Sequence, residues 1–445
     1  MSSPVANKLS VGERTPVSAK KEKRFALTAR DSWIWLLPMM IVVGYQLFEK
    51  LLTNSMGEEA LYIQEVGVVQ RQVVFTTAYV LAFIGLLLNR ERVLALLKHQ
   101  KLMLAFLFFA FLSVFWSDLP FVSFKRWVHF AGMFLTGVCA VSMASHEKRI
   151  GEALRWMFLL PLVASLIMAV VAPSVAISVS GAWDGIYGHK NTLGQVVFMA
   201  LALWLPHSFS GKRGFRKWFV ALVLVLILFL AYKSESRTSQ LVIAVIVGFW
   251  ILMVVPLPWP SKLVLAPLPL LLLVFWFANF HVNSLTDYLF GLLGRDSSLT
   301  GRTFVWQVMW ENIRSHPVLG VGYNGFWVEN NLAAVALVSD SGWRPLQAHN
   351  GYLDILNELG IMGLGLFLAI LLQTLFRAFR LASQERVVGM AYVLVLVSLV
   401  FHNFGETSFC RATKPGWFLF IITYVVLSVR TFGNSPARLE RAASG

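Results

Sequence analysis

Six side chains in this sequence are candidates for polar chemistry: Lys190, Arg237, Arg302, His349, Asn350 and Glu406. Arg237 stands in Ser234-Glu235-Ser236-Arg237-Thr238, where two very apolar runs meet. Ionised groups beside lipid are costly and turn toward a polar cavity or a partner; Glu235 is close enough in sequence to be that partner. Arg302 opens a segment with helical periodicity. Free N–H groups and a partial positive charge already mark a helix N-terminus. An arginine there gains nothing from the dipole unless an anion is brought to both, and a solvated loop arginine is the plain alternative. Converging, the two arginines would make a permanently charged fork suited to phosphate oxygens.

His349 precedes a helix that leads back into an apolar run. Imidazole titrates at about 6.5 when unperturbed, so it can take a proton from a hydroxyl near neutral pH; it can equally be an ordinary loop histidine. Lys190, in Gly188-His189-Lys190-Asn191, is either another cation for an anionic ligand or the charged anchor of a helix start. His402, Asn403 and Glu406 cluster at the end of a late apolar run, with His402 and Glu406 spaced for one helical face. Spacing supplies no third ligand there, so a hydrogen-bonding network is expected rather than a metal site. The chain contains no DxD pair, which a transferase holding a diphosphate through a divalent metal would need. Arginine in place of a metal ion fits that absence.

The elements that must position these groups are apolar. Of 445 residues, 57% are hydrophobic and only 14% charged, against about 25% charged in soluble domains, which points to an all-α polytopic membrane protein. Apolar runs lie at 32–48, 72–89, 102–116, 127–145, 157–177, 191–209, 218–233, 240–256, 263–281, 359–376, 387–404 and 417–429. They predict about twelve transmembrane helices, some completed by flanking aromatic and basic residues, since about 20 residues are needed to span. With connections numbered alternately, 25 of the 38 Lys and Arg fall on the side of the two termini. The net charge of +15 is thereby read as topology rather than as nucleic-acid binding. The bias puts both termini in the cytoplasm and the long polar connection, about 282–358, outside. Residues 1–31 read as a disordered cytoplasmic tail, 32–429 as the membrane domain and 430–445 as a second cytoplasmic tail. Cys139 and Cys410 have no CxxC neighbour, so neither a disulfide framework nor a metal cluster is expected.

The large connection should contain short amphipathic helices. Trp306, Met309, Trp310 and Ile313 give the run from Arg302 one apolar stripe; Ser298 or Thr300 can cap its start and Pro317 stop it. That helix is expected to lie on the membrane surface. Glycines 320, 322 and 325 make a turn-rich segment. Asn350 can cap a second helix, in which Leu353, Leu356 and Ile361 lead into the next span.

Several short strings in this order match a known pattern: Trp116-Ser117-Asp118, Gly188-His189-Lys190-Asn191, Ser236-Arg237-Thr238, Gly301-Arg302 with Trp306, the 317–322 segment, and His349-Asn350 followed by Glu358-Leu359-Gly360 and Gly363. With them the chain resembles the O-antigen ligase and Wzy-type polysaccharide polymerase family of bacterial envelope glycosyltransferases. The resemblance implies metal-independent transfer of an undecaprenyl-diphosphate-linked glycan at the periplasmic face of the inner membrane, without a cofactor. Arg237 and Arg302 fall on the positions that bind the pyrophosphate, and His349 on the base that activates the acceptor hydroxyl. Lys190, Asn350 and Glu406 are expected to complete the substrate-binding set. Gly188 to Asn191 and the terminal Asn403-Phe404-Gly405-Glu406-Thr407-Ser408 look closer to exopolysaccharide polymerases than to ligases that decorate lipid A core, so polymerase is expected and ligase is the alternative. Partners would be a glycan or lipid-linked glycan acceptor, membrane lipids, and polysaccharide export and chain-length-control proteins. A lipid-linked sugar transporter or flippase is a third reading. Such proteins place polar sites at the midplane and often carry repeats, whereas here polar residues gather at one face and no matching halves are visible.

The assigned topology can be tested directly. With Cys139 and Cys410 changed to serine, Asp340→Cys should react with a membrane-impermeant maleimide from outside the inner membrane. Labelling only after the cytoplasmic side is opened would place the loop inside.

Overall fold

The computed structural model describes residues 36–53, 69–143, 147–209, 215–255, 302–328 and 347–432, with the isolated positions 258 and 261. The expected tails, apart from 430–432, lie outside these residues, as do the apolar run 263–281 and most of the 282–358 connection, including Gly301 and the caps expected at Ser298 and Thr300. No strand occurs among the described residues; the one β-contact is an isolated bridge between Ile177 and Trp183.

Among the described residues, fourteen α-helices follow one another. They are α1 (Leu37–Thr53), α2 (Val69–Leu88), α3 (Arg90–Leu97), α4 (Lys101–Leu112), α5 (Pro120–Met143), α6 (Glu147–Val171), the single turn α7 (Pro173–Ala176), α8 (Lys190–Trp204), α9 (Phe215–Lys233), α10 (Arg237–Val254), α11 (Arg302–Ser315), α12 (Gly351–Gln384), α13 (Arg386–Gly405) and α14 (Pro415–Phe432). Among the described residues, five helices are long and apolar enough to cross a membrane: α2, most of α6, α10, α12 and α13. A sixth is reached if α3 and the stretch from Lys101 to Trp116, bent by 87°, count as one span. The remaining apolar runs that fall on described residues are helical as well, α5 and α9 at 24 and 19 residues among them.

Hydropathy around each helix decides its place. α8 and α13 are apolar on every side and sit at the centre, with Leu193 to Trp204 of α8 almost wholly buried. A helix hydrophobic all round has no face for water and belongs inside a larger body or a membrane. α14 is covered as completely from Trp417 to Ser428, whereas other helices bury one stripe and leave another apolar stripe uncovered: Val73, Val80, Phe83 and Leu87 on α2, Leu222, Val225 and Tyr232 on α9, Leu372 and Phe376 on α12. Water would disfavour so much continuous apolar surface, whereas acyl chains accept it.

The connections sort to two ends of the bundle. At one end Trp116 donates its indole N–H to the Leu319 carbonyl at 3.3 Å, the Trp183 amide donates to the Lys233 carbonyl at 2.8 Å, and the Tyr323 hydroxyl donates to the Cys410 carbonyl at 2.8 Å. At the other end Arg155 meets His207 at 2.7 Å, and Arg430 pairs with Glu385 at 2.7 Å.

α12 is broken at Gly360, where φ is 64° and ψ −169°. A break frees backbone groups that would be costly to leave unpaired at membrane depth. The 317–322 segment satisfies four of them. Val321 and Gly322 donate to the carbonyls of Asn357 and Glu358 at 3.1 and 2.9 Å, while Ile361 and Met362 donate to those of Pro317 and Val318 at 2.9 and 3.3 Å. The expected turn-rich segment is present, with Gly320 and Gly322 at positive φ, and this is what it docks against. α11 forms as expected, but its buried stripe is Val305, Met309 and Ile313 with Trp306 partly covered, and Trp310 is exposed. The stripe is set by docking onto Val321, Phe326, Trp327 and Leu353, so it faces protein and not a lipid surface.

Gly360 occupies backbone territory open essentially to glycine alone, and a Cβ there would strike the Val318 carbonyl. Gly360→Ala should therefore cost at least about 1–3 kcal/mol and lower the thermal midpoint in detergent. Gly365→Ala in the same helix, where a Cβ meets nothing within 4 Å, should hold or raise it. Equal midpoints for the two variants would show that the break is not required.

Candidate functional site

The site is assembled where the first turns of α8, α10 and α12 meet the segment after α13. α8 begins at Lys190, after His189 in extended conformation accepts from the Asn191 amide at 3.2 Å. α10 begins at Arg237, directly after Ser236. The Asn350 side chain caps α12 by accepting from the amides of Tyr352 and Leu353, both at 3.1 Å, which is the capping expected from sequence. α13 ends at Gly405, and Glu406 follows with φ −149° and ψ 167°. The backbone has left the helix, so Glu406 does not share a helical face with His402. His402 instead lies against the Phe198 ring, centroids 4.9 Å apart.

Glu406 is the point where these elements join. Its Oε2 lies 2.9 Å from Nδ1 of His349 and accepts from Gln347 Nε2 at 2.8 Å, and its Oε1 accepts from Asn191 Nδ2 at 3.2 Å. Asn191 Oδ1 in turn accepts from the Ser236 hydroxyl at 3.0 Å, next to Arg237. One chain of contacts thus runs from His349 through Glu406 and Asn191 to Ser236. Close approach is built in: a Cβ on Gly351 would strike the Asn403 carboxamide, so glycine there lets the start of α12 sit against the end of α13.

His349 and Glu406 are both mostly buried, with side-chain exposures of 18% and 10%. With Nδ1 turned to the carboxylate, Nε2 is the ring nitrogen directed away from Glu406. A carboxylate on Nδ1 fixes the tautomer that can accept a proton at Nε2 and stabilises the imidazolium that forms. Lys190 is half-buried and Arg237 exposed; Glu235 does not pair with Arg237. Arg302 is the first residue of α11, and its side chain lies outside the described part. Lys190 and Arg237 each stand at a helix start, where the dipole opposes a cation and favours a bound anion.

Beneath the His349–Glu406 pair lies a buried ion cluster. Arg411 reaches Glu358 Oε1 at 2.8 Å and Asp354 Oδ1 at 3.2 Å. Burial works against the Arg411 charge, but Glu358 and Asp354 more than offset it and hold the guanidinium above its ordinary range. Asp354 also accepts from the Trp327 indole at 2.7 Å and the Thr407 hydroxyl at 2.6 Å. The neighbouring Cys410 carbonyl accepts from Asn324 Nδ2 at 2.9 Å. Among the described residues, the four non-glycine residues with positive φ, Glu235, Asn324, His349 and Cys410, all lie at this end.

The sequence singled out His349, Asn350 and Glu406, which the structure brings together, and Lys190 and Arg237 at the edges of the same network. It did not single out Gln347, Asp354 or Arg411. Asp354 and Glu358 did leave a signal: two carboxylates four residues apart in a stretch, 351–359, that holds no cation require one from elsewhere. Among the described residues, no three of His, Cys, Asp and Glu gather as metal ligands would.

Fold and site together define a multi-pass α-helical membrane protein with a buried imidazole–carboxylate pair and edge cations at one end of its bundle. The family model for O-antigen ligase matches residues 222–368, a stretch that contains Arg237, Arg302, His349 and Asn350 and stops short of Glu406. The exopolysaccharide production protein ExoQ of Rhizobium meliloti (strain 1021) is 25% identical over 371 residues, covering 80% of this chain and 84% of that protein. These matches support placing the chain in the O-antigen ligase and polymerase family.

Removing Arg411 would leave two buried carboxylates facing each other without a counter-charge. Breaking a buried pair in this way costs about 3–5 kcal/mol. Arg411→Ala should accordingly lower the thermal midpoint in detergent far more than Arg314→Ala on α11; a wild-type midpoint would show that water enters the cluster.

Proposed function

We propose that this protein is an inner-membrane glycosyltransferase that transfers undecaprenyl-diphosphate-linked glycan units onto a growing exopolysaccharide or O-antigen chain at the periplasmic face. The observation that carries the reading is the 2.9 Å contact between His349 Nδ1 and Glu406, which orients the imidazole as a carboxylate-supported base acting through Nε2. In the proposed step an acceptor hydroxyl attacks the anomeric carbon, and its proton passes to His349 Nε2. The bond from that carbon to the pyrophosphate oxygen breaks as the glycosidic bond forms. Undecaprenyl diphosphate leaves with its charge held by Arg237 and Arg302, with Lys190 at the edge of the site; Asn350 and Glu406 orient the segment that carries the base. Pyrophosphate is already a good leaving group, so base and charge neutralisation suffice without a metal ion.

The family match and the exopolysaccharide relative support a polysaccharide polymerase or ligase role. The relative's role in exopolysaccharide production favours polymerase. The family description favours the second reading, a ligase that transfers the glycan to lipid A core. The two differ only in acceptor, and the product separates them: free polymer for the first, glycan on lipid A core for the second.

His349→Ala should lower turnover by about 10²–10⁴-fold, the usual worth of general-base catalysis, while binding of the lipid-linked donor persists. Both are measured on one preparation in excess EDTA, where wild-type activity is expected to survive. Normal turnover in the variant removes His349 from the mechanism, loss of donor binding makes it a binding residue, and EDTA inhibition reversed by magnesium or manganese refutes the metal-free reading.

A further inference from the structure

The pair of His349 and Glu406 bridges 57 positions of sequence, and neither residue lies within a helix. His349 is held in the left-handed region at φ 53°, and Glu406 is the first extended residue after α13. Something outside the pair must set their separation, because a displacement of about 1 Å in a catalytic group can cost about 10²-fold in rate.

A single carboxylate touches the chain on both sides of the pair. Both oxygens of Asp354 lie 3.3 Å from the amide nitrogen of Ala348, the residue before His349. Its Oδ2 accepts from the hydroxyl of Thr407 at 2.6 Å, the residue after Glu406. Its Oδ1 accepts from the Trp327 indole at 2.7 Å and lies 3.2 Å from Arg411. Asp354 is itself only 1% exposed, so these partners rather than water satisfy it. Hydrogen bonds to an ionised acceptor are shorter and stronger than neutral ones, and Arg411 lies against the same carboxylate. Trp306 adds a second hold on the same strand by donating to the Ala348 carbonyl at 2.8 Å.

We infer that Asp354 is a positioning residue for the His349–Glu406 pair: it ties the backbone before the base to the side chain after the carboxylate, and so fixes the distance between them. The inference rests on the reading of His349 as the base. Asp354 touches no reacting atom in this scheme and acts through the pair.

Asp354→Asn keeps the size but puts an NH₂ group where a donor was received, so one of the two ties is lost. It should lower kcat by about 10²-fold, with donor KM and donor binding unchanged. In a His349→Ala background the same change should lower the residual rate by less than about threefold, because residues that act through one another are not additive. A purely structural role would lower both backgrounds equally. Equal losses, a wild-type kcat, or a change confined to donor KM would each overturn the inference. Full activity of His349→Ala alone would instead sink the base assignment, whatever Asp354→Asn does. Should Asp354→Asn fail to accumulate in the membrane, Thr407→Val decides. It removes one tie without touching a charge and should lower kcat by about tenfold or more; an unaltered kcat would dismiss the tie.

Discussion

The polar end of this molecule depends on one buried cation. Arg411 sits between Asp354 and Glu358, and through them it joins the segment after α13 to the first turns of α12. A carboxylate pair in a medium of low dielectric cannot remain ionised alone, and a lone guanidinium there is no better placed. Together they form a unit with fixed geometry, and the surroundings are built on it. Trp327 and Thr407 attach to Asp354, while Tyr323 and Asn324 attach to the carbonyl of Cys410, beside Arg411. The 317–322 segment docks on the break in α12 just past Glu358. The interior therefore spends its few charges on geometry, and the cations proposed to meet substrate are kept at the edges.

That separation matters for the proposed chemistry. Arg411 is committed to two carboxylates, so it is not available to an anionic leaving group. Arg237 is exposed and unpaired with Glu235, and Lys190 opens a neighbouring helix. A pyrophosphate would find cations at two helix starts, where the dipole favours a bound anion. Arginine also offers a planar fork that matches phosphate oxygens, which lysine lacks.

Much of the framework was legible in the residues. The apolar runs that fall on described positions are helices, and Asn350 caps α12 as its side chain predicts. Glycines 320 and 322 turn the chain. What sequence could not supply was partnership over distance. Spacing groups Glu406 with His402 on one helical face, but α13 stops at Gly405 and the carboxylate meets His349, 57 residues away. Periodicity puts Trp310 in the apolar stripe of α11, but the docking partner covers the face through Val305, Met309 and Ile313. Arg411 carried no local signal at all, since its meaning lies wholly in the two acids it meets. Periodicity reports one element's faces; which face is covered, and by what, is decided between elements.

The placement of α8 and α13 at the axis has an outcome for how such a chain can diverge. These helices carry Lys190 and Asn191 at one start and Glu406 at one end, so the parts with least freedom to change volume are also the parts that mount the polar network. The peripheral helices meet only soft surroundings on their outer stripes and can exchange one apolar residue for another at little cost. Drift should therefore be graded radially, slow along the axis and fast at the rim. A chain that has lost most of its overall identity to a relative can then keep the same few polar residues at the same depth, and a search weighted toward the axis would recognise kin that a uniform comparison passes over.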